Sequence, residues 1–418
     1  MDACITPSPL FGRINAVGSK SDIHRLLICS AFADKKTEIS GFFLSDDIAA
    51  TVRCIEALGA SVEIYDERCF VTPIANYSGN PFLDCGESGT TLRFMLPTAC
   101  AVCEKAAFSG SGRLPERPID ELIVALSFGG VDFSGKKLPF SAKGKLKSGE
   151  YRLPGNISSQ YISGLLTALC LIEGKSEIML TTPLESAAYV DMTLATLSLF
   201  GAEIIAENGK YTVYGKGKLV SPEKAVADGD WSNALFFMVA GAIGQSVEIN
   251  GLSLSSVQGD KAAAEILKRF GADVAVKNNT VYIKHENLCG CDIDISQIPD
   301  TLPALAVAAA FANGKSRFFG GKRLRMKESD RIATTCGMIN SLGGKAEETE
   351  DGLTVYGNGG LSGGIANGEN DHRIVMAAAA AASGCKDKVA IKGVEAVNKS
   401  YPTFFSDFKK LGGIADVI

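Results

Sequence analysis

Histidine is scarce in this chain, three in 418 residues, and no cysteine pair has a second pair or a histidine beside it, so no ligand set for a transition metal is offered. Basic excess is missing too. The formal net charge of −5 gives no field to attract a nucleic-acid backbone, and the lysines between Lys136 and Lys147 read as a solvated strand and turn. The longest apolar runs, Ala234 to Ile243 and Leu302 to Ala312, fall well short of the roughly 20 residues that span a bilayer. The opening, Met1-Asp2 with proline and glycine soon after, lacks the basic region and apolar core of a secretion signal. The expectation is therefore no metal, no organic cofactor, no nucleic acid and no membrane partner, in a cytoplasmic chain. In that reducing compartment the twelve cysteines are expected as thiols. Cys100 with Cys103, and Cys289 with Cys291, read as buried small apolar residues.

What is present is ordinary globular composition, 46% apolar and 21% charged, in a chain long enough for two domains with cores of their own. An internal repeat organises it. A helical stretch ends in a large apolar residue and glycine at Leu58-Gly59, Phe128-Gly129, Phe200-Gly201, Phe270-Gly271, Leu342-Gly343 and Leu411-Gly412, six marks about 70 residues apart. Each glycine reads as a left-handed helix C-cap. A β-rich segment and a polar loop precede each helix, and two strands follow it, so one unit reads βαββ. Glu265 to Phe270 carries one apolar stripe, whereas Ala304–Ala312 and Met376–Ala382 are apolar almost all round and are expected to be buried. Six units divide most simply into two domains of three, strands outside and helices within, with a ligand cleft between them. The spacing puts the junctions near Lys20 and Ala227.

Several segments look like seats for anions. Gly18-Ser19-Lys20-Ser21 precedes a helix expected from about Asp22, with Arg25 one turn further on; a lysine, hydroxyls and helix-terminal N–H groups suit phosphate or carboxylate. The Walker pattern of a P-loop is excluded, because five residues rather than four separate Gly12 from Gly18 and the order after it differs. Gly89, in Gly86-Glu87-Ser88-Gly89-Thr90-Thr91-Leu92-Arg93, reads either as a bland helix-start turn or as a place where a ligand nears the backbone. Arg117, in Pro115-Glu116-Arg117-Pro118, is equally an exposed helix-start arginine or a bidentate grip. Ser158 and Ser159, ahead of Gln160, read as helix caps or ligand hydroxyls, and Ser186 and Tyr189 hold the corresponding loop of the third unit.

The C-terminal half supplies acids and more cations. Asp300 after Ile298-Pro299 reads as an N-terminal cap or as a general base at the edge of a cleft. Arg325-Met326-Lys327-Glu328-Ser329-Asp330-Arg331 holds five charges in seven residues, either a salt-bridged solvent face or a site. Asn370-Asp371-His372-Arg373 precedes a strongly apolar helix, which speaks against an idle surface place for His372 and Arg373.

Taken together these motifs, seven in register across almost the whole chain, resemble the EPSP synthase family. The resemblance implies an α/β (α+β) class and a two-domain, inside-out α/β barrel-like fold of six βαββ repeats. Residues 20–227 would form one domain and residues 1–19 with 228–418 the other, joined by two crossovers. It implies a transferase that moves the enolpyruvyl group of phosphoenolpyruvate to the 5-hydroxyl of shikimate 3-phosphate, by addition and elimination, acting as a monomer. Lys20, Ser21, Arg25, Ser158, Ser159, Gln160, Ser186, Tyr189, Asp300 and Lys327 would hold shikimate 3-phosphate. Lys20, Gly89, Arg117, Gln160, Arg331 and Arg373 would hold phosphoenolpyruvate. Asp300, Glu328 and Lys20 would carry the chemistry, with Glu328 as proton donor and Asp300 as base.

The chain departs from the family pattern in two places. Glu87 stands where asparagine is usual, and Glu395 where many members carry a phosphoenolpyruvate-binding lysine; Lys399 could replace that lysine if its segment is extended. The sister transferase that acts on UDP-N-acetylglucosamine opens with Gly-x-Lys-Asn and carries a reactive loop cysteine, and neither is seen here. A non-catalytic binder of phosphorylated metabolites would need the cations but not Asp300 and Glu328.

Overall fold

The computed structural model describes residues 1–77 and 79–418. All six marks end helices, and at five the first glycine takes the left-handed region: Gly59 (φ +114°), Gly201 (+73°), Gly271 (+105°), Gly343 (+83°) and Gly412 (+84°). At the second mark the cap moves on by one residue. Gly129 stays at φ −74°, while Gly130 takes +98° and Val131 closes the turn by donating to Leu126 O at 3.2 Å.

The chain divides into two compact units, Gly18–Ala227 and Met1–Val17 with Asp228–Ile418. Within Gly18–Ala227 stand three four-stranded sheets. The helices Lys20–Ala31, Gly89–Val102 and Ser159–Cys170 are buried along most of their length, while Asp46–Leu58, Asp120–Phe128 and Ala187–Leu199 each keep one side in solvent. Gly164 permits the close approach of two of the buried helices. A Cβ there would lie 2.1 Å from Arg93 O, so any side chain would force Ser159–Cys170 away from Gly89–Val102.

The other unit repeats the plan. Its three sheets take in Asp2–Thr6, paired with Val389–Lys392 and Ile414–Val417, and Phe11–Asn15, parallel to Ser246–Asn250. Three helices, Trp231–Ile243, Leu302–Phe311 and His372–Gly384, are buried almost all round, as the long apolar runs in them require. The mixed α/β reading with a six-fold repeat holds, and each βαββ is preceded by a buried helix and gains a fourth strand in its sheet: in the second, third, fifth and sixth repeats that strand comes directly before the helix, in the first it is Lys224–Val226 and in the fourth Phe11–Asn15. In the third repeat, for example, Glu150–Leu153 and Ser159–Cys170 precede Gly174–Leu180, with which the first strand pairs in parallel. Those leading strands are short, only two residues in Ile293–Asp294, too few for an alternating pattern to show.

No described helix is long and apolar enough to cross a membrane. The cysteines are all free, and Cys100 and Cys103 are buried as expected. Cys289 corrects the expectation: it is exposed, with Cys291 half-buried, because it lies in the loop that leads into the two-residue strand Ile293–Asp294.

Candidate active site

In the unit Gly18–Ala227 the helix expected from Asp22 begins two residues earlier, at Lys20, because Ser19 caps it by accepting from Asp22 N. Lys20 thus sits in the first turn, and its Nζ meets Asp47 Oδ2 at 2.7 Å in the first turn of Asp46–Leu58. Asp47 O in turn accepts from Thr91 Oγ1 at 3.3 Å, at the start of Gly89–Val102. Arg25 is buried; its Nε donates to Thr193 Oγ1 (2.9 Å) and its Nη2 to Tyr189 O (2.7 Å). Burial lowers its guanidinium to about 10, against the charges of Asp22 and Tyr189. Arg25 therefore ties the first turn of Ala187–Leu199 to the helix that carries Lys20 and Ser21.

Ser158 does cap Ser159–Cys170, accepting from Gln160 N. Glu185 N donates to Gly155 O at 3.0 Å, which lays the loop before Ser186 beside the loop before Ser158. Ser186 itself is buried and strained at φ +52°. Gln160 accepts from Arg93 Nη1 (3.0 Å) and donates to Thr90 Oγ1 (2.8 Å). Gly89 lies directly under two guanidiniums, since a Cβ there would stand 2.6 Å from Arg93 Nη1 and 2.7 Å from Arg117 Nη1. Gly89, Gln160 and Arg117 are thus brought together with Arg93, a cation absent from the expected set. Its place at the end of the Gly86–Arg93 motif was a signal for it; nothing in the sequence pointed to Asp47 as partner of Lys20.

In the other unit, Asp300 is not a cap. It lies in the turn Pro299–Thr301, and its carboxylate takes Arg331 Nη1 at 2.7 Å, Arg373 Nη2 at 3.2 Å and Lys327 Nζ at 3.4 Å. Burial drives this carboxyl up, but Arg373, Lys327 and Arg331 more than reverse that and hold it well below the usual carboxylate range. Arg331, with a side chain only 2% exposed, also donates to Glu328 Oε2 (2.6 Å) and to Asp371 Oδ2 (2.8 Å). Burial works against its charge, and Asp371, Glu328 and Asp300 restore it to above the ordinary arginine value. Lys327 is lowered to about 8, by burial first, with Asp300 opposing.

The charged run Arg325–Arg331 therefore divides. Arg325 forms the solvent-side face with Asp330 and Glu348, whereas Lys327, Glu328 and Arg331 turn inward. His372 and Arg373 are buried, as their apolar helix suggested. Asp371, not among the expected site residues, holds Arg331 and accepts from Ser329 Oγ at 3.0 Å. The condition under which Lys399 could replace the family's lysine, an extended segment, is not met: Val394–Lys399 is a 3-10 helix, and Lys399 Nζ donates to Asn370 O at 2.8 Å. Among the described residues no group of three or more His, Cys, Asp and Glu is placed to hold a metal ion. What the arrangement offers is charge and proton traffic, an ionised carboxylate amid cations beside a second acid.

The family model described as EPSP synthase (3-phosphoshikimate 1-carboxyvinyltransferase) matches residues 5–408. The 3-phosphoshikimate 1-carboxyvinyltransferase of Clostridium novyi (strain NT) is 39% identical over 425 residues, covering 99% of this chain and 98% of the relative. That of Clostridium botulinum (strain Eklund 17B / Type B) is 40% identical over 419 residues, covering 98% and 97%. Among solved structures, the EPSP synthase of Acinetobacter baumannii superposes with a TM-score of 0.83 at 28% identity over 100% of both chains. The enolpyruvyl transferase NikO of Streptomyces tendae shares the fold, with a TM-score of 0.82 at 16% identity over 99% of this chain and 98% of that one. On the extent of these matches, and with the motif residues gathered as described, the chain belongs to the EPSP synthase (3-phosphoshikimate 1-carboxyvinyltransferase) family.

Proposed function

We propose that Asp300, Glu328 and Lys20 carry out in this chain the reaction of its family, transfer of the enolpyruvyl group of phosphoenolpyruvate to the 5-hydroxyl of shikimate 3-phosphate with release of phosphate. The observation that carries the assignment is the Asp300 carboxylate, kept ionised by Arg331, Arg373 and Lys327. An ionised acid ringed by donors can take a proton from an incoming hydroxyl while the cations hold an anionic partner.

In the addition step a proton goes to the methylene carbon of phosphoenolpyruvate, making it a methyl group. The 5-oxygen bonds to the adjoining carbon and the hydroxyl proton passes to Asp300. In the elimination step a methyl proton returns to the Glu328 carboxylate, the double bond re-forms, the carbon–oxygen bond to phosphate breaks, and the departing phosphate takes the proton held by Asp300. Glu328 is the proposed donor. Without ligand it is held by Arg331; an anion that took over that guanidinium would release Glu328, and a carboxyl freed from a cation keeps its proton more readily.

Arg331, Arg373, Arg117, Lys20, Gln160 and the bare backbone at Gly89 are assigned to phosphoenolpyruvate, whose two anionic groups call for several cations on desolvation. Ser21, Arg25, Ser158, Ser159, Ser186, Tyr189, Asp300 and Lys327 are assigned to shikimate 3-phosphate, together with Lys20 and Gln160. For Arg25 and Tyr189 support comes from their mutual hydrogen bond, which keeps both at one helix start. The chain is placed in the cytoplasm, as its twelve free thiols favour, and is assigned as a monomer that binds no nucleic acid. The test is phosphate release from the purified protein. Release is expected only with both substrates present, and Asp300→Asn is expected to slow it by about 10²- to 10⁴-fold; undiminished turnover in that variant would remove Asp300 from the chemistry.

A further inference from the structure

The unit Gly18–Ala227 holds a buried chain of hydrogen bonds to which the reaction as assigned gives no part. It begins at His24, four residues after Lys20 and so on the same face of Lys20–Ala31, one turn further in. Its Nδ1 meets Thr51 Oγ1 at 2.7 Å. Thr51 likewise lies four residues after Asp47 in Asp46–Leu58. The pairs Lys20–Asp47 and His24–Thr51 are therefore successive rungs between the same two helices, the second of them wholly buried. From Thr51 the chain passes to a third helix. Thr51 Oγ1 lies 2.7 Å from Thr91 Oγ1, which stands 2.8 Å from Ser88 Oγ, the cap of Gly89–Val102, and 3.3 Å from Asp47 O.

We propose that His24, as the tautomer with its proton on Nδ1, is a positioning residue for phosphoenolpyruvate: through Thr51 and Thr91 it fixes the start of Gly89–Val102 against the helix starts that pair Lys20 with Asp47, and so sets the Gly89 backbone relative to the Lys20 ammonium. The direction of the chain follows from its ends. Asp47 O can only accept, so Thr91 spends its one hydroxyl proton there or on Ser88, Thr51 donates to Thr91, and His24 donates to Thr51. The reverse order would put the ring proton on Nε2, which is buried with no hydrogen-bond partner among the described residues; an orphaned N–H there costs more than a bare lone pair. Burial first, then the charges of Lys20 and Arg25, hold this imidazole well below the usual histidine range, so it stays uncharged at neutral pH. A single rung between two helices lets them pivot. The second rung removes that freedom, and Thr91 grips Asp46–Leu58 at two places one turn apart, Asp47 O and Thr51 Oγ1.

This inference rests on the assignment of Gly89 and Lys20 to phosphoenolpyruvate, and the experiment separates the two. Steady-state kinetics and melting temperatures of the full chain are measured for wild type, His24→Leu, His24→Asn, Thr51→Val and Gly89→Ala, together with the imidazole nitrogen NMR shifts of the wild type. With three histidines in the chain, the His24 signal is identified by its loss in His24→Asn. It is expected to show a protonated Nδ1 and a bare Nε2; the opposite tautomer would overturn the proposal. His24→Leu and Thr51→Val break the buried rung, and each is expected to raise KM for phosphoenolpyruvate about tenfold while leaving kcat within about twofold. His24→Asn, whose amide offers an N–H at the same distance from the backbone, is expected to bring KM back to within about threefold of wild type. A lower melting temperature with unchanged KM in both His24→Leu and Thr51→Val would reduce the chain to a structural feature and refute the role. Equal KM in His24→Leu and His24→Asn would show that the donated proton does not matter, and would refute it too. If Gly89→Ala itself leaves KM unchanged, the assignment of Gly89 fails and the positioning role with it, whatever tautomer the spectrum shows. Should His24→Leu not fold, the KM of Thr51→Val against wild type decides.

Discussion

At the scale of the residue, the charges around Asp300 and Arg331 neutralise one another, and the proposed function has a ligand compete for them. Arg331 satisfies three carboxylates at once, so removing its guanidinium would leave buried acids without their shared cation. Gly89 illustrates the tightness. Adding one methyl group there means displacing the Arg93 and Arg117 guanidiniums, so Gly89→Ala is expected to raise KM for phosphoenolpyruvate by at least about tenfold while the melting temperature hardly moves; an unchanged KM would show that neither guanidinium serves that substrate. On the alkaline side, the assignment of Lys327 to shikimate 3-phosphate predicts a pH dependence. Since burial brings that lysine to about 8, its charge is present below that pH and lost as pH climbs through it. KM for shikimate 3-phosphate is therefore expected to rise above about pH 8, and the rise should be absent from Lys327→Ala, as initial rates across pH 7 to 9.5 would reveal.

At the scale of the element, helix starts deliver the chemistry and helix ends set the repeat. Ser19, Ser45, Ser88 and Ser158 each accept from a backbone N–H at the start of a helix, and Lys20, Asp47, Thr90, Thr91 and Gln160 follow in the turns so begun. Hydrogen bonds among those turns hold the helix starts together, and with them the positive ends of several helix dipoles. The glycines at the far ends are tested by a pair of substitutions with opposite signs. Gly271, at φ +105° with Asn287 O only 2.7 Å from an added Cβ, is expected to lose roughly 1–3 kcal/mol of stability on change to alanine. Gly337 lies inside the helix Arg331–Ser341 with nothing within 4 Å of an added Cβ, and Gly337→Ala is expected to gain about 0.5–1 kcal/mol. Urea unfolding curves of the two variants should move in opposite directions.

At the scale of the whole molecule, one unit is a continuous stretch with a core of its own, running from Ile23 to Ala227, whereas the other is assembled from both ends of the chain. A fragment of residues 18–227 is therefore expected to fold alone and to melt cooperatively by circular dichroism. It should release no phosphate, because Asp300, Glu328, Arg331 and Arg373 lie outside it; a fragment without a cooperative transition would show that its core needs the rest of the chain. Much of this organisation was legible beforehand. The glycine marks, the helices apolar all round and the order of the motifs are local properties, written in neighbouring residues, and the sequence by itself determined them. The leading strands of the second, third, fifth and sixth repeats were not legible, since two to four residues are too few to display a period. Nor were the partners of the charges. Arg331 meets Glu328 three residues away, but Asp300 at 31 and Asp371 at 40; Arg25 meets Tyr189 across 164. Which cation finds which carboxylate, and hence which acid is held ionised, depends on distances and burial that arise only when separate helices pack, and that is what the tertiary structure alone decided.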